Sequence, residues 1–412
     1  TQLFPCLIDM KFKGVRVDIE RAHKLKQQLS QKEEQLLLEV KKQTGIDVQI
    51  WAARSIAKVF DKLSLSYATT EKTGSPSFTK NFLSTHNNPV VKSIAKAREI
   101  NKAHTTFIDT ILKHQHRGRI HADINPVRSD QGGTVTGRFS YSNPNLQQIP
   151  ARNKDLGPMI RSLFLPEENN KWGCFDYSQQ EPRLVVHYAA TTEPIRFDSS
   201  VANIVEKFKD NSVDFHQTVA DMANISRTQA KTINLGLFYG MGKAKLQAEL
   251  GLNTKEEAEE LFNQYHENVP FVRDLMNHTS RHAQSSGSIG TLLGRRCRFT
   301  KWEPNRFGMH KPMEFLEAER TYGRGQIRRA FTYKALNKLI QGSAADMTKK
   351  AMINLYKEGV VPHIQIHDEL DISVESDAAA KKIIEIMENA VSLEIPNKVD
   401  YESGKTWGDI YG

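Results

Sequence analysis

The sequence predicts an α+β protein, on three observations. Residues 20–120 look mostly helical, opening with a polar stretch in which Leu25, Leu29, Leu36 and Val40 keep helical spacing. Two short segments, 172–176 and 363–374, alternate apolar and polar residues as half-buried strands do. Residues 179–290, between them, return to helical patterning. The order reads as a helical arm, a mixed core, a helical insertion and a return to the core.

Each element has a local reason. Val15–Val17 forms a short strand, and Asp18 then stands where a helix N-cap belongs, with Glu20 in the first turn. That helix ends near Gly45. The polar loop Thr69–Ser77 carries Lys72 among small residues, which suits either approach to a phosphate backbone or a solvated connector. A Lys- and Arg-rich helix spans Pro89–His114. Gly, Ser, Asn and Pro punctuate 131–150, and strands are expected over 162–176. A basic, loop-rich stretch covers 291–330. A helix over 329–358, a hairpin over 361–374 and a helix over 376–391 complete the reading. No internal repeat or low-complexity tract occurs.

Composition excludes several classes. With 412 residues, two to four compact units are expected at roughly 100–200 residues each. A hydrophobic share of 39% with 19 Phe excludes a disordered chain. No apolar run reaches the roughly 18 residues of a spanning helix, so no membrane partner is expected. Cys6, Cys174 and Cys297 are too few and scattered for a disulfide framework or a thiolate zinc site, which points to a reducing, intracellular setting. The N-terminus resembles no targeting peptide and lacks an initiator Met, as in a fragment or processed product. The net charge of +9 is compatible with a polyanion partner but does not identify one.

Three segments carry chemistry. Trp172, Cys174 and Asp176 share one face of a strand, and Ser178 and Glu181 have capping-box spacing that would start a helix directly after Asp176. A carboxylate there suits a hard cation, or an ordinary strand-to-helix turn. In 363–374, Asp368 falls on the parity of Ile364, Ile366, Leu370, Ile372 and Val374, where a bare carboxylate would be costly to bury. Either the chain turns sharply at His367-Asp368, or a metal compensates the charge, or both. Arg227, Lys231, Leu235 and Tyr239 recur every four residues, a stripe about 18 Å long on a helix. Two cations at one end and an aromatic at the other suit a triphosphate and a stacked base, or a solvated basic face. Arg138, Asn145, Gln147 and Gln148 in an extended loop, and the pair Asn337 and Gln341 on a helix, could reach acceptors shared by all base pairs in a minor groove.

Together these segments resemble the polymerase region of family A DNA polymerases, the bacterial DNA polymerase I type. TVTGRFSYSNPNLQQIP at 134–150, DYSQQEPR at 176–183, RTQAKTINLGLFYG at 227–240 and QIHDEL at 365–370 follow the family's order. TLLGRR at 291–296 and NKLIQGSAAD at 337–346 agree, as do GVRVD at 14–18 and TEKTGSPSF at 70–78. The resemblance covers nearly the whole chain. It implies a right-hand architecture: an antiparallel palm from 1–24, 118–195 and 329–412, a helical thumb from 25–117 and helical fingers from 196–328.

The resemblance also implies roles. Asp176 and Asp368, with the main chain of Tyr177, would hold two Mg²⁺ ions, for which Mn²⁺ is an expected substitute. Arg227, Lys231 and His216 would contact the triphosphate of a dNTP, with Lys231 also the proton donor to leaving pyrophosphate. Glu181 would exclude a ribose 2′-hydroxyl, and Gln179, Leu235 and Tyr239 would complete the nucleotide site. Arg138, Asn337, Gln341, His367, Gln148 and Lys72 would contact primed template DNA. Glu369 is not taken as an obligate metal ligand. A monomer in the bacterial cytoplasm is expected, without a proofreading nuclease in this chain: Asp18-Ile-Glu20 has an exonuclease-like spelling but starts a helix. Leu235 departs from the family's usual Phe or Tyr in the manner of viral members, so a phage origin is expected. Gln180 and Pro182 also depart, and the 216–227 interval is short. The rival readings are a non-catalytic DNA clamp and a polymerase that also copies RNA.

Overall fold

A four-stranded antiparallel sheet in the order Ile364–Ile366, Glu369–Val374, Lys171–Tyr177, Val399–Gly404 lies at the centre of the computed structural model. The structure describes all residues except 1, 128–132, 151–152, 211–212, 239–242, 307, 309 and 412. Residues paired across neighbouring strands share a face. One face carries Phe175, Leu370 and Ile372, all buried, and the Tyr177 hydroxyl there donates to the Met387 carbonyl at 2.6 Å. That bond anchors the sheet to the helix Asp377–Glu388. The other face carries Trp172, Cys174 and Asp176, and opposite them Ser373, Asp371 and Glu369, with Glu402 and Asp400 from the fourth strand. The fold thus gathers five carboxylates on one side of one sheet.

The start of the chain is tied to this core by a small sheet. Val15–Val17 pairs antiparallel with Arg119–Ile120 and with Phe164–Leu165. Asp18 accepts a hydrogen bond from the Arg21 N–H at 2.9 Å and so caps the helix Ile19–Thr44, which ends at left-handed Gly45. That helix packs along Pro89–Lys102. The outer part of this arm has its own apolar cluster, including Ile56, Phe60, Phe78 and Val91. Lys72 sits exposed in the turn joining Ala68–Thr69 to Pro76–Ser77. Between the two central strands runs a helical region that includes Gln180–Thr191, Phe215–Ala223, Arg227–Phe238 and Pro270–Ser286. No described helix is long and apolar enough to cross a membrane.

Three local expectations are corrected, and one alternative is decided. The sharp turn at His367-Asp368 forms: Ile364 pairs with Asp371 and Ile366 with Glu369, so the two-residue turn puts these isoleucines on the acidic face. No capping box forms at Ser178; the residue before the helix is Gln179, left-handed at φ 54°, and Glu181 is engaged elsewhere. The helix expected from 329 begins at Ala335, because Ile327–Arg329 is a strand paired with Trp302–Pro304. The stretch 299–328 is therefore folded, with a helix at Phe315–Tyr322 whose Phe315 packs edge-on to Trp302 at 4.9 Å. The strand Val399–Gly404 was not expected, as VDYESG has no clean apolar alternation.

Gly173 lies where the sheet is tightest. A Cβ there would stand 2.5 Å from Val374 Cγ2. Gly173→Ala should cost about 1–3 kcal/mol in chemical denaturation. Gly290→Ala, in a strand with open space around the site, should cost less.

Candidate active site

Asp176 is the penultimate residue of its strand, and Asp368 is the second residue of the two-residue turn before the neighbouring strand. Glu369 pairs with Asp176, and the Asp368 carbonyl accepts from the Tyr177 N–H at 3.3 Å. The two aspartates therefore meet at one end of the sheet. His367 holds the turn with φ +56°, a conformation non-glycine residues adopt at a cost of order 1 kcal/mol. The Asp176 carboxyl is raised above its ordinary range, first by burial and then by Asp368, Glu369, Asp400 and Glu402. Asp368 is raised too, chiefly by burial; its own backbone N–H and Arg138 oppose the shift, and Glu181 and Glu369 add to it. Hard oxygen donors crowded until both resist ionisation fit a divalent cation, which would relieve that repulsion.

A second acidic group lies one residue pair deeper. Ligand atoms of Cys174, Glu369 and Asp371 all fall within 4.8 Å of one another. Asp371 is fully buried and accepts from Trp172 Nε1 at 2.8 Å. Burial, then Glu369, raises its carboxyl. Glu369 is thus shared between the sheet end and this inner group.

The expected nucleotide residues cluster on the helices beside the sheet. Gln179 bridges the two regions: its Nε2 donates to the Val213 carbonyl at 2.9 Å and its Oε1 accepts from the Phe215 N–H at 2.7 Å. Both ends of that amide are used in positioning the helix Phe215–Ala223, so its place is architectural. His216 on that helix is buried. The Tyr265 hydroxyl donates to Asn234 Oδ1, and Asn234 Nδ2 donates to His216 Nδ1 at 3.2 Å. The chain of donors assigns the His216 proton to Nε2. Burial pushes His216 down to about 4, with Lys231 and Arg227 adding to the shift and Asp214 opposing it. His216 therefore stays neutral near pH 7, beside two cations. Arg227 is exposed and grips Asp214 Oδ2 through Nε at 2.9 Å and a terminal nitrogen at 2.6 Å. Lys231 is exposed one turn along. Leu235 lies in the helix Arg227–Phe238, but its side chain is outside the described residues, as is Tyr239 altogether.

Glu181 forms an ion pair with Arg138, which also acts electrostatically on Asp368 and His367. The sequence reading gave these two residues separate roles; the structure joins them. Gln147 Nε2 donates to the Gln365 carbonyl at 3.2 Å and Asn145 caps Gln147, so those loop amides are used internally, whereas Gln148 is exposed. Asn337 and Gln341 are half-buried, one turn apart on the helix Ala335–Lys357. His367 is exposed beside Asp368, and Lys72 is in the hairpin of the arm.

Arg295 was missed as a functional residue. Its guanidinium donates to the Thr136 carbonyl and lies 3.5 Å from Asp346 Oδ1. It passes so close to Gly137 and Gly342 that a Cβ on either would lie 2.6 Å from it. Arg295 thereby locks the Arg138 loop to the Asn337 helix. The signal was present as Gly137 in one motif and Gly342 and Asp346 in another, but nothing in one sequence says that they share a neighbour.

Residues 19–409 match the family described as DNA polymerase family A. A DNA-directed DNA polymerase of Pseudomonas phage M6 is 33% identical over 459 residues, covering 100% of this chain and 66% of the phage protein. The thermostable DNA polymerase I of Thermus filiformis is 33% identical over 422 residues, covering 97% of this chain and 46% of its own length. Among solved structures, the POL domain of Pol1 from M. smegmatis, in complex with DNA primer-template and dNTP, matches with a TM-score of 0.78 at 26% identity. That match covers 100% of this chain and 70% of the other. The chain thus spans about two-thirds of the phage relative and less than half of the bacterial one.

Carboxyls with raised pKa weaken the fold wherever they are forced to ionise. The folded state holds their protons more tightly than the unfolded state, so this cost is absent in acid and grows as pH rises past the ordinary value of 3.8. In metal-free buffer at pH 8, Asp176→Asn and Asp368→Asn should each raise the melting temperature. The advantage should shrink as pH falls toward 4, read by thermal melts across pH.

Proposed function

The chain belongs to DNA polymerase family A, and we propose that it is a template-directed DNA polymerase, extending a primer 3′-hydroxyl with dNTPs and releasing pyrophosphate. The observation that carries this reading is the meeting of Asp176 and Asp368 at one sheet end, bridged by Gln179 to the helices bearing His216, Arg227 and Lys231. Two Mg²⁺ ions, or Mn²⁺ in their place, held by Asp176, Asp368 and the Tyr177 main chain, would activate the hydroxyl and neutralise the triphosphate.

The chain's own residues do the rest. Arg227 exchanges Asp214 for phosphate oxygens, a swap its exposure permits. His216, neutral and protonated at Nε2, donates one hydrogen bond to phosphate without adding charge. As the primer hydroxyl loses its proton to solvent water and its oxygen bonds to the α-phosphorus, the bond from that phosphorus to the oxygen bridging to the β-phosphate breaks, and Lys231 gives the departing pyrophosphate a proton. Glu181, held by Arg138, occupies the space of a 2′-hydroxyl, and Leu235 and Tyr239 pack on the nucleotide. Arg138, Asn337, Gln341, Gln148 and His367 contact the duplex near the primer end, and Lys72 contacts it further away. In this reading the palm is 1–24, 118–195 and 329–412, the thumb 25–117 and the fingers 196–328. Similarity to phage polymerases supports action in the cytoplasm of an infected bacterium, and the proposed acting form is a monomer.

Primer extension with Mg²⁺ tests the reading. Asp176→Ala and Asp368→Ala should each lower the rate by about 10³-fold or more while primed DNA still binds. A clamp would bind in every case and extend in none, the parent included. Lys231→Ala should lower the rate constant by about 10²-fold. Affinity for primed DNA should fall steeply with added salt as phosphate contacts release counterions, and a flat profile would contradict the charge argument. Matched DNA and RNA templates decide whether RNA is also copied.

A further inference from the structure

Just before the helix that carries Asn337 and Gln341, two large aromatic rings face solvent. Phe331 is 38% exposed and Tyr333 54% exposed. Phe331 is left-handed, at φ 64° and ψ 12°, and accepts a hydrogen bond from the Lys334 N–H at 2.9 Å, which closes the short turn Thr332–Lys334. A bulky residue in that region is strained, and such strain marks sites where a side chain must be aimed. Lys334 places its ammonium 4.9 Å from the Phe331 ring centroid and 5.5 Å from that of Tyr333. Both rings keep their exposure with the cation in place.

The surroundings select a partner. Lys334, at the N-cap of the helix Ala335–Lys357, stands three, four and seven residues before Asn337, Lys338 and Gln341, which form one stripe of that helix. Leu336, Leu339 and Ile340, off that stripe, are buried. Residues 328–345 contain no acidic residue; of their cations, Arg328 is paired with Glu303, Arg329 lies over Trp302 and Lys338 over Phe299, which leaves the exposed Lys334 ammonium beside the two rings. Exposed rings beside a cation, with no carboxylate in the run, suit unpaired bases on a charged backbone: every base offers a face to stack and every phosphate a negative charge. A protein partner of ordinary apolar character would leave the Lys334 ammonium uncompensated.

We propose that Phe331 and Tyr333, with Lys334 between them, form a stacking platform for unpaired template bases, continuous with the stripe that bears Asn337 and Gln341. The inference rests on the reading of the chain as a template-copying polymerase, but its test is a binding measurement that needs no catalysis.

The test uses the full chain carrying Asp368→Ala and two DNA hairpins, one with a single-stranded 5′ template extension and one blunt. 2-Aminopurine in the extension reports stacking by loss of fluorescence. Phe331→Gly with Tyr333→Ser removes both rings, and glycine eases the left-handed backbone, so the variant should fold. It should bind the extended hairpin about tenfold more weakly, keep its affinity for the blunt hairpin and abolish the fluorescence loss. Tyr333→Trp should preserve the fluorescence loss. An equal loss of affinity for both hairpins, or no fluorescence loss with the parent, overturns the platform. Failure of the polymerase reading would appear separately, as absence of primer extension by the chain with Asp368 intact.

Discussion

The repulsion among carboxylates at the end of the central sheet is the constraint on which the rest depends. Strand pairing puts Glu369 opposite Asp176, the turn puts Asp368 beside them, and Asp400 and Glu402 flank them from the fourth strand. Bringing such groups together out of bulk water is unfavourable unless they share protons or a cation. The apolar reverse of the same strands makes the arrangement possible. Phe175, Leu370 and Ile372 bury against the helical side, and the Tyr177 hydroxyl fixes the sheet to Met387. Stability on one face sustains a strained, charged arrangement on the other.

The neighbouring polar groups act as fixtures around that charge. Arg138 is held by Glu181 and bears on Asp368, and Arg295 ties the Arg138 loop to the helix of Asn337 and Gln341. Tyr265 and Asn234 set the proton of His216, while Gln179 sets where His216 stands relative to Asp176. In the proposed reaction, the same ion pair that aims Glu181 at the sugar tempers the charge at the primer end. Sugar choice and metal binding would then be coupled through one guanidinium.

Much of this was legible in the sequence where the signal is local. Asp18 capping its helix, the strand before Asp176 and the hairpin around Asp368 all follow from short-range pattern. Parity alone could not assign faces across a tight turn: the two-residue loop, one of the alternatives the sequence left open, puts Ile364 and Leu370 on opposite faces. Pattern failed at Val399–Gly404, whose place is set by pairing with Lys171–Tyr177 rather than by its own residues. The candidate site was legible only as separate motifs. The Arg138–Glu181 pair, the hub at Arg295 and the inner group of Cys174, Glu369 and Asp371 are long-range contacts, and a single chain carries no local signal for them.

Two places on the acidic face now compete for a cation: the outer pair, Asp176 with Asp368, and the inner group. Anomalous scattering from Mn²⁺ in crystals grown with primed template and an incoming nucleotide separates them directly. The account predicts anomalous density between the carboxylates of Asp176 and Asp368. Density confined to Cys174, Glu369 and Asp371, or absent from the sheet end, would contradict it.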